Sequence, residues 1–282
     1  MNRDFFNKLF TGLSWAAVGS CGLILLFLFF VIAWNGIRAI DFDFLFTASR
    51  NFGAEGGILY QIIGSLLLIA GAAIISFPLA IGTAIFKSEY MKNGLSRNMC
   101  TALIYGLNGI PSIIFGIFGL IFFVNILNTG ISWFVGSIIL AIMILPTIVL
   151  ATYQSINSIP ANYRESALAL GLTKWQVITR VILPQGIGGA ITGLLIGLAR
   201  AVGETAPIMF IATAFSGVNI PGSLFEPVTA LPTHILALAQ QATNQQALHN
   251  AWGASFVLIC LVTLLSVSAL FSRMKLKTIG QR

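Results

Sequence analysis

Charged side chains are scarce in this chain. Of its 282 residues 8% are charged, with 15 Lys and Arg against 8 Asp and Glu, whereas 57% are hydrophobic. An ordinary soluble domain carries about 25% charged residues, which cover its surface. The shortage excludes a soluble enzyme, a disordered chain and a nucleic-acid-binding domain. It predicts an all-α polytopic membrane protein. In such a protein the net charge of +7 reflects the orientation of the chain in the membrane rather than affinity for DNA.

Cysteine and histidine are also rare, with three Cys and two His in the whole chain. Cys21, Cys100 and Cys260 are predicted to be small buried residues without a disulfide partner. His234 and His249 lie in the polar segment 217–250, and a metal site needs more ligands than these two. We therefore expect solvated histidines and no bound metal.

Long charge-free stretches locate the membrane spans, because a helix needs about 20 residues to cross the hydrocarbon core. The stretch 98–163 is long enough for two spans, which the polar residues around Asn128 divide. Six spans are predicted, at 15–37, 58–86, 99–127, 131–153, 183–215 and 251–272. Residues 233–242 are a candidate for a short helix lying at the outer surface.

Lysine and arginine give the orientation, since they accumulate in cytoplasmic loops. With both termini in the cytoplasm, the only basic residues outside are Arg38 and Arg50. The inner segments then hold Arg3, Lys8, Lys87, Lys92, Arg97, Arg164, Lys174, Arg180, Arg273, Lys275, Lys277 and Arg282. The chain is divided into a first span with its outer loop (1–57), a continuous core (58–272) and a cytoplasmic tail (273–282).

Four prolines fall inside predicted spans, at Pro78, Pro111, Pro146 and Pro207. Each removes one backbone hydrogen bond and tends to kink its helix. They indicate bent helices around a central pathway, although packing shape alone would also account for any one of them.

The loop between the fourth and fifth spans contains a short helix with clear ends. Ser158-Ile159-Pro160 begins it and Gly171 ends it. Thr173 to Gln176 then fits a capping box, so a second helix follows at once, and Leu183-Pro184 is expected to end that helix. The first helix is either a lever that docks on a soluble partner or a stiff linker.

The fifth span has a face of small residues and two charges. Gly189, Gly193 and Gly197 recur every four residues and predict close packing against another helix. Arg200 and Glu204 are spaced to pair, at or beyond the bilayer midplane, where charges are costly. They are either a functional site or a structural ion pair that specifies packing.

The planar guanidinium of Arg200 offers several N–H donors to an oxyanion. The Glu204 carboxylate would offset the charge of Arg200 while the pathway is empty. Phosphate carries an acidic O–H, from which the Glu204 carboxylate could accept a hydrogen bond. Sulfate has no such proton near neutral pH, so the carboxylate would repel it. Selectivity for phosphate over sulfate is the resulting hypothesis.

One segment resembles a known family. Glu165-Ser166-Ala167, Gly171 and Leu183-Pro184 are similar to the EAA loop of ABC importer permeases, with Ser166 in place of Ala and Val181 in place of Ile. The resemblance implies a six-helix type I permease core whose coupling helix fits the ATPase subunit. Its coupling residues would be Tyr163, Arg164, Glu165, Ala167 and Gly171. The chain has no Walker A motif, so it is expected to be no enzyme and to bind no cofactor; ATP and Mg would belong to a separate ATPase.

Two further motifs, 199–207 and 109–116, resemble phosphate importer permeases, and Thr205-Ala206-Pro207 is similar to the A type rather than the C type. The resemblance implies a bacterial cytoplasmic-membrane complex with a C-type permease, an ABC ATPase dimer and an extracytoplasmic phosphate-binding protein. Arg200 and Glu204 would line or gate its pathway. Two alternatives remain, an ABC permease for molybdate, sulfate or phosphonate, and an ion-coupled carrier or channel that works alone.

Overall fold

The computed structural model describes residues 3–91, 94–214, 220–241 and 243–279. Lys92 and the last three residues of the predicted tail, among others, lie outside this range. The described helices are α1 Arg3–Ala39, α2 Phe42–Phe46, α3 Leu59–Ile85, α4 Leu95–Gly109, α5 Ser112–Gly119, α6 Trp133–Asn157, α7 Ala161–Ala169, α8 Lys174–Val177, α9 Leu183–Val202, α10 Ala206–Ile211, α11 Leu231–Gln240 and α12 Gln245–Ile279. Strands β1 Ser49–Arg50 and β2 Glu55–Gly56 form one small antiparallel ladder.

Within the described part of the chain, five helical segments are long and apolar enough to cross a membrane, at 7–39, 59–90, 133–157, 174–202 and 245–272. The remaining predicted span, 99–127, which is third in chain order, is a pair of helices, Leu95–Gly109 and Ser112–Ile126, bent by 92°. The predicted span is therefore broken rather than a single helix, at the position where Pro111 was expected to kink it. Ile110 is extended (φ −71°, ψ 129°), as the residue before Pro111 prefers to be, and this ends α4.

The fifth span also differs from the predicted 183–215. Its helix is continuous from Lys174 to Val202, so Leu183-Pro184 does not end a helix as expected. A π-helical turn over Ile178–Ile182 joins α8 to α9, and the Leu183 N–H bonds to the Ile178 carbonyl five residues earlier. The wider turn accommodates the ring of Pro184 within the helix.

The prolines divide into two pairs. Pro111 and Pro207 stand at helix breaks, as predicted. Pro78 and Pro146 lie inside α3 and α6, which continue through them as single helices. The shape needed for packing is therefore enough to explain Pro78 and Pro146.

Helix α6 forms the centre of the core, between α3 and α9. Its side chains Ile139, Ile144 and Ile148 are fully buried. Small residues bring α3 close on one side, where a Cβ on Gly71 would lie 2.8 Å from Ser137 Cβ. The packed unit α3–α6–α9 therefore positions the helix ends at which the candidate functional residues lie.

The predicted surface helix near residue 233 is less exposed than the sequence suggested. The predicted surface helix 233–242 is α11, which packs against α12 and α3, with Leu231, Thr233 and Leu238 buried. Ala242 lies outside the described residues. The small ladder and the turn between its strands cover this helix, and a Cβ on Gly53 would lie 2.4 Å from His234 Cε1.

His234 is consequently buried, so the prediction that it is solvated is wrong. It is 5% exposed, and its Nδ1 lies 3.4 Å from Gln61 Nε2. Loss of solvent lowers the pKa of His234 to about 4. His249 is exposed, as expected.

Candidate functional site

The break between α9 and α10 places Arg200 and Glu204 side by side. Gly203 caps α9, with its N–H 3.1 Å from the Arg200 carbonyl. Pro207 occupies the first turn of α10, where a missing N–H is tolerated. Arg200 therefore lies in the last turn of α9, and Glu204 lies in the connection that follows.

The two charged groups are in contact. Arg200 Nε lies 3.5 Å from Glu204 Oε1, and the side chains are 40% and 15% exposed. The guanidinium is thus only partly enclosed, while the carboxylate is mostly covered. The predicted i, i+4 spacing produces this pair although the helix ends between the two residues.

A third residue completes the cluster. Arg200 Nη1 lies 3.5 Å from Asn108 Oδ1, across 92 residues of chain. The amide oxygen accepts from the guanidinium, so Arg200 is held from two sides. Sequence reasoning missed Asn108, although a polar residue directly before Gly109-Ile110-Pro111 in an apolar span was an available signal.

The bend after Asn108 brings two motifs together. Helix α5 packs against α10, and Gly116 lies at this contact. A Cβ on Gly116 would lie 2.7 Å from Pro207 Cα and 3.2 Å from the Ala206 carbonyl oxygen. The segments 109–116 and 199–207, singled out separately in the sequence, are therefore one packed unit around Arg200.

The three glycines of the small face pack against α6 of the same chain. A Cβ on Gly189 would lie 2.2 Å from Ser155 Cβ, and one on Gly193 would lie 2.7 Å from Ala151 Cβ. Gly197 is less tight, at 3.2 Å from Ile144 Cβ. The structure thus identifies the helix that this face approaches, which the sequence left open.

In the loop 158–177, the turn at Gly171 and the capping box lie where the sequence predicted them. Helix α7 is followed by Gly171 in the left-handed region (φ +79°), and Thr173 and Gln176 form both bonds of the capping box. Four large side chains on this loop are exposed by more than half, namely Tyr163, Leu168, Leu170 and Trp175. We call these four exposed side chains the loop surface.

The residues expected to contact an ATPase point in different directions. Tyr163 belongs to the loop surface, and Glu165 is exposed beside it. Ala167 is buried against the core. Arg164 turns inward, and its Nη2 lies 3.1 Å from Glu89 Oε1.

The family of the chain follows from comparison with known proteins. The family model described as "Binding-protein-dependent transport system inner membrane component" matches residues 76–275. The matched segment covers most of the chain and includes Asn108, Arg200, Glu204 and the loop surface. This chain belongs to that family of membrane-embedded permease components, which are not themselves enzymes.

Two relatives are similar to this chain over almost its whole length. The chain is 32% identical over 281 residues to the protein named "Probable ABC transporter permease protein YqgI" of Bacillus subtilis, with 95% of each chain covered. It is 31% identical over 267 residues to the phosphate transport system permease protein PstA of Pasteurella multocida, covering 95% of this chain and 94% of that one.

A solved structure supports the fold. A chain of a bacterial alginate ABC transporter, crystallised with an alginate-bound periplasmic protein, superposes with a TM-score of 0.63. The match covers 96% of this chain and 99% of that chain at 19% sequence identity. The six-helix ABC permease architecture expected from the sequence is therefore confirmed, with a broken helix in place of the third span.

Proposed function

We propose that this chain is the A-type permease subunit of an ATP-driven phosphate importer and forms half of its translocation pathway. The observation that carries the proposal is the partly exposed guanidinium of Arg200, held by Glu204 and Asn108 where two helix breaks meet. The likeness to the P. multocida phosphate permease over almost the whole chain supports the choice of substrate.

Arg200 would contact the anion during its passage. A guanidinium presents several N–H groups in a plane that matches two oxygens of a tetrahedral anion. With Nε and Nη1 directed at Glu204 and Asn108, the group is oriented before the anion arrives. These contacts use two of the five N–H donors of the guanidinium, so the others remain available to the anion.

Glu204 would discriminate between phosphate and other oxyanions such as sulfate. Its carboxylate balances Arg200 in the empty pathway and accepts a hydrogen bond from the O–H of a phosphate monoanion or dianion. Sulfate has no proton to donate near neutral pH, so the same carboxylate repels it. Placing the carboxylate beside the cation therefore favours phosphate over fully ionised oxyanions.

The loop surface would be the contact with the ATPase. Helix α7 and the turn at Gly171 expose Tyr163, Leu168, Leu170 and Trp175 together, on a part of the chain predicted to face the cytoplasm. Large apolar side chains that are exposed outside the bilayer would be covered by a partner protein in the assembled complex. ATP and Mg would be bound by that partner, an ABC ATPase dimer.

The remaining partners follow from the family. A pathway of this class needs a second, homologous permease of the C type, and an extracytoplasmic phosphate-binding protein would deliver the substrate. We place the complex in the bacterial cytoplasmic membrane with both termini in the cytoplasm, because the basic residues then fall almost entirely inside.

The test is uptake of ³²P-labelled phosphate by cells without their own phosphate importers. They would express this chain with its partner genes. Saturable uptake that requires an active ATPase subunit, and that excess sulfate and molybdate leave unchanged, is the expected result. Equal competition by molybdate, sulfate or a phosphonate would make the chain a permease for another oxyanion. Uptake without any ATPase would indicate a carrier that works alone.

A further inference from the structure

Arg164 lies on α7 but is directed away from the loop surface. Its Nε and Nη2 each lie 3.1 Å from Glu89 Oε1. Its remaining donors bond the carbonyls of Ile159, at 2.8 Å, and Ile156, at 3.0 Å, at the end of α6. The pair is largely covered, with 22% and 12% of the two side chains exposed. A contact of this kind joins parts of one chain rather than two proteins.

Glu89 belongs to the continuation of α3 past its last α-helical residue. This continuation, Phe86–Tyr90, is π-helical and ends with the Met91 N–H bonded to the Phe86 carbonyl at 3.1 Å. We call it the α3 extension. Because α3 packs against α6, a displacement of the extension acts on a helix of the core.

A second contact connects the same two regions. Lys174, the first residue of α8, places its Nζ 4.1 Å from the centre of the Tyr90 ring, a favourable cation–π separation. The loop containing α7 and α8 is therefore fastened to the α3 extension at two residues, Glu89 and Tyr90. The two contacts lie on either side of Gly171, so the turn between the helices is held at both ends.

The α3 extension is also fastened to α6. Lys87 is 2% exposed and its Nζ lies 4.3 Å from the centre of the Tyr153 ring. Ser88 Oγ lies 3.1 Å from both Glu89 Oε1 and Asn157 Oδ1. The extension thus connects the loop to the core through α3 and α6 together.

We propose that the Arg164–Glu89 ion pair transmits the displacement of α7 to α3, so that Arg164 is a positioning residue and does not contact the ATPase. This inference rests on the proposed ATP-driven import. An ATPase that binds the loop surface moves α7, and the ion pair makes the α3 extension follow. Without the pair, only the Lys174–Tyr90 contact joins the loop to the α3 extension, so α3 follows α7 less closely and less phosphate is transported per ATP.

The experiment compares transport with ATP hydrolysis in the assembled complex. The complex is reconstituted in liposomes with its phosphate-loaded binding protein, and entry of ³²P-phosphate is measured together with ADP formation. The variants are Arg164→Gln, Glu89→Gln and the exchange Arg164→Glu with Glu89→Arg. Lys8→Gln, which removes one exposed charge from α1, is the matched control. Copurification of the ATPase reports assembly for every variant.

Each single variant should keep its ATPase and still hydrolyse ATP, with about a fivefold drop in phosphate transported per ATP. The exchange should recover most of that ratio, and Lys8→Gln should match the native complex. An unchanged ratio in Arg164→Gln would overturn the inference, as would loss of the ATPase from that variant, which would make Arg164 a partner contact. If the native complex itself imports no phosphate, the proposed function fails instead.

Discussion

Asn108 and Arg200 are in contact where two helix breaks meet, with 3.5 Å between Asn108 Oδ1 and Arg200 Nη1. Asn108 lies in the last turn of α4 before the 92° bend, and Arg200 lies in the last turn of α9. A contact between two helix ends is sensitive to any change in the angle of either break. The orientation of the guanidinium therefore depends on the geometry of both motifs.

Replacing Asn108 with alanine should weaken phosphate uptake without abolishing it. Arg200 keeps its contact with Glu204 but loses one acceptor, and a long hydrogen bond to a charged group contributes about 1 kcal/mol, or about a fivefold change. We expect the KM of uptake to rise by that factor with little change in maximal rate. Asn108→Asp should be worse than Asn108→Ala, because a second carboxylate would compete with the anion. An unchanged KM in both variants would contradict a role for Asn108.

Glu204→Gln should relax discrimination between phosphate and sulfate. The amide removes the negative charge that repels sulfate and keeps a similar shape. Inhibition of labelled phosphate uptake by sulfate is the measurement, and it should become stronger in this variant. Glu55→Gln, a change at an exposed glutamate in the small ladder, is the matched control. Unaltered sulfate inhibition in a correctly assembled Glu204→Gln complex would remove the basis for the selectivity hypothesis.

Gly189→Ala should destabilise the chain, because the new methyl group would lie 2.2 Å from Ser155 Cβ. Forcing α9 away from α6 costs about 1–3 kcal/mol in a packed core. Gly82→Ala is the control, since a Cβ there meets nothing within 4 Å. Thermal unfolding in detergent should show a lower Tm for Gly189→Ala alone. Equal melting of the two variants would show that α9 is not tightly packed on α6.

Much of this arrangement was predictable from local sequence. The Thr173–Gln176 capping box, the turn at Gly171 and the break before Pro207 depend on nearby residues, and each was found where expected. The local sequence also suggested that Leu183-Pro184 ends a helix. The helix instead continues, because a π-helical turn before Pro184 makes room for its ring. Such a turn depends on how the surrounding helices hold the backbone, and the sequence pattern carries no sign of it.

Contacts between distant segments were not predictable. The period of a helix indicates which residues share a face, but it does not identify what that face meets. Asn108 was therefore missed, the contact of Arg164 with Glu89 was not foreseen, and His234 was expected in solvent although the turn at Gly53 covers it. Each of these depends on a partner far away in the chain.

His234 should make the stability of the chain dependent on pH. Its folded pKa of about 4 lies below the ordinary value of 6.5, so the unfolded chain binds more protons between these values. Stability is therefore complete above pH 6.5 and falls as the pH decreases toward 4. His234→Gln should remove this part of the acid sensitivity, measured as Tm against pH, whereas exposed His249→Gln should not. Equal acid sensitivity in the native chain and His234→Gln would contradict the buried neutral histidine.

The most direct test of the central claim is phosphate uptake by Arg200→Ala. The comparison is with the native chain, in cells that depend on this complex for phosphate. Membrane levels of the assembled complex and copurification of the ATPase must be matched between the two. We predict that saturable uptake of ³²P-phosphate is lost while assembly is normal, because the pathway no longer offers a cation to the anion. Undiminished uptake at matched assembly would show that Arg200 does not act on the substrate and would contradict the account.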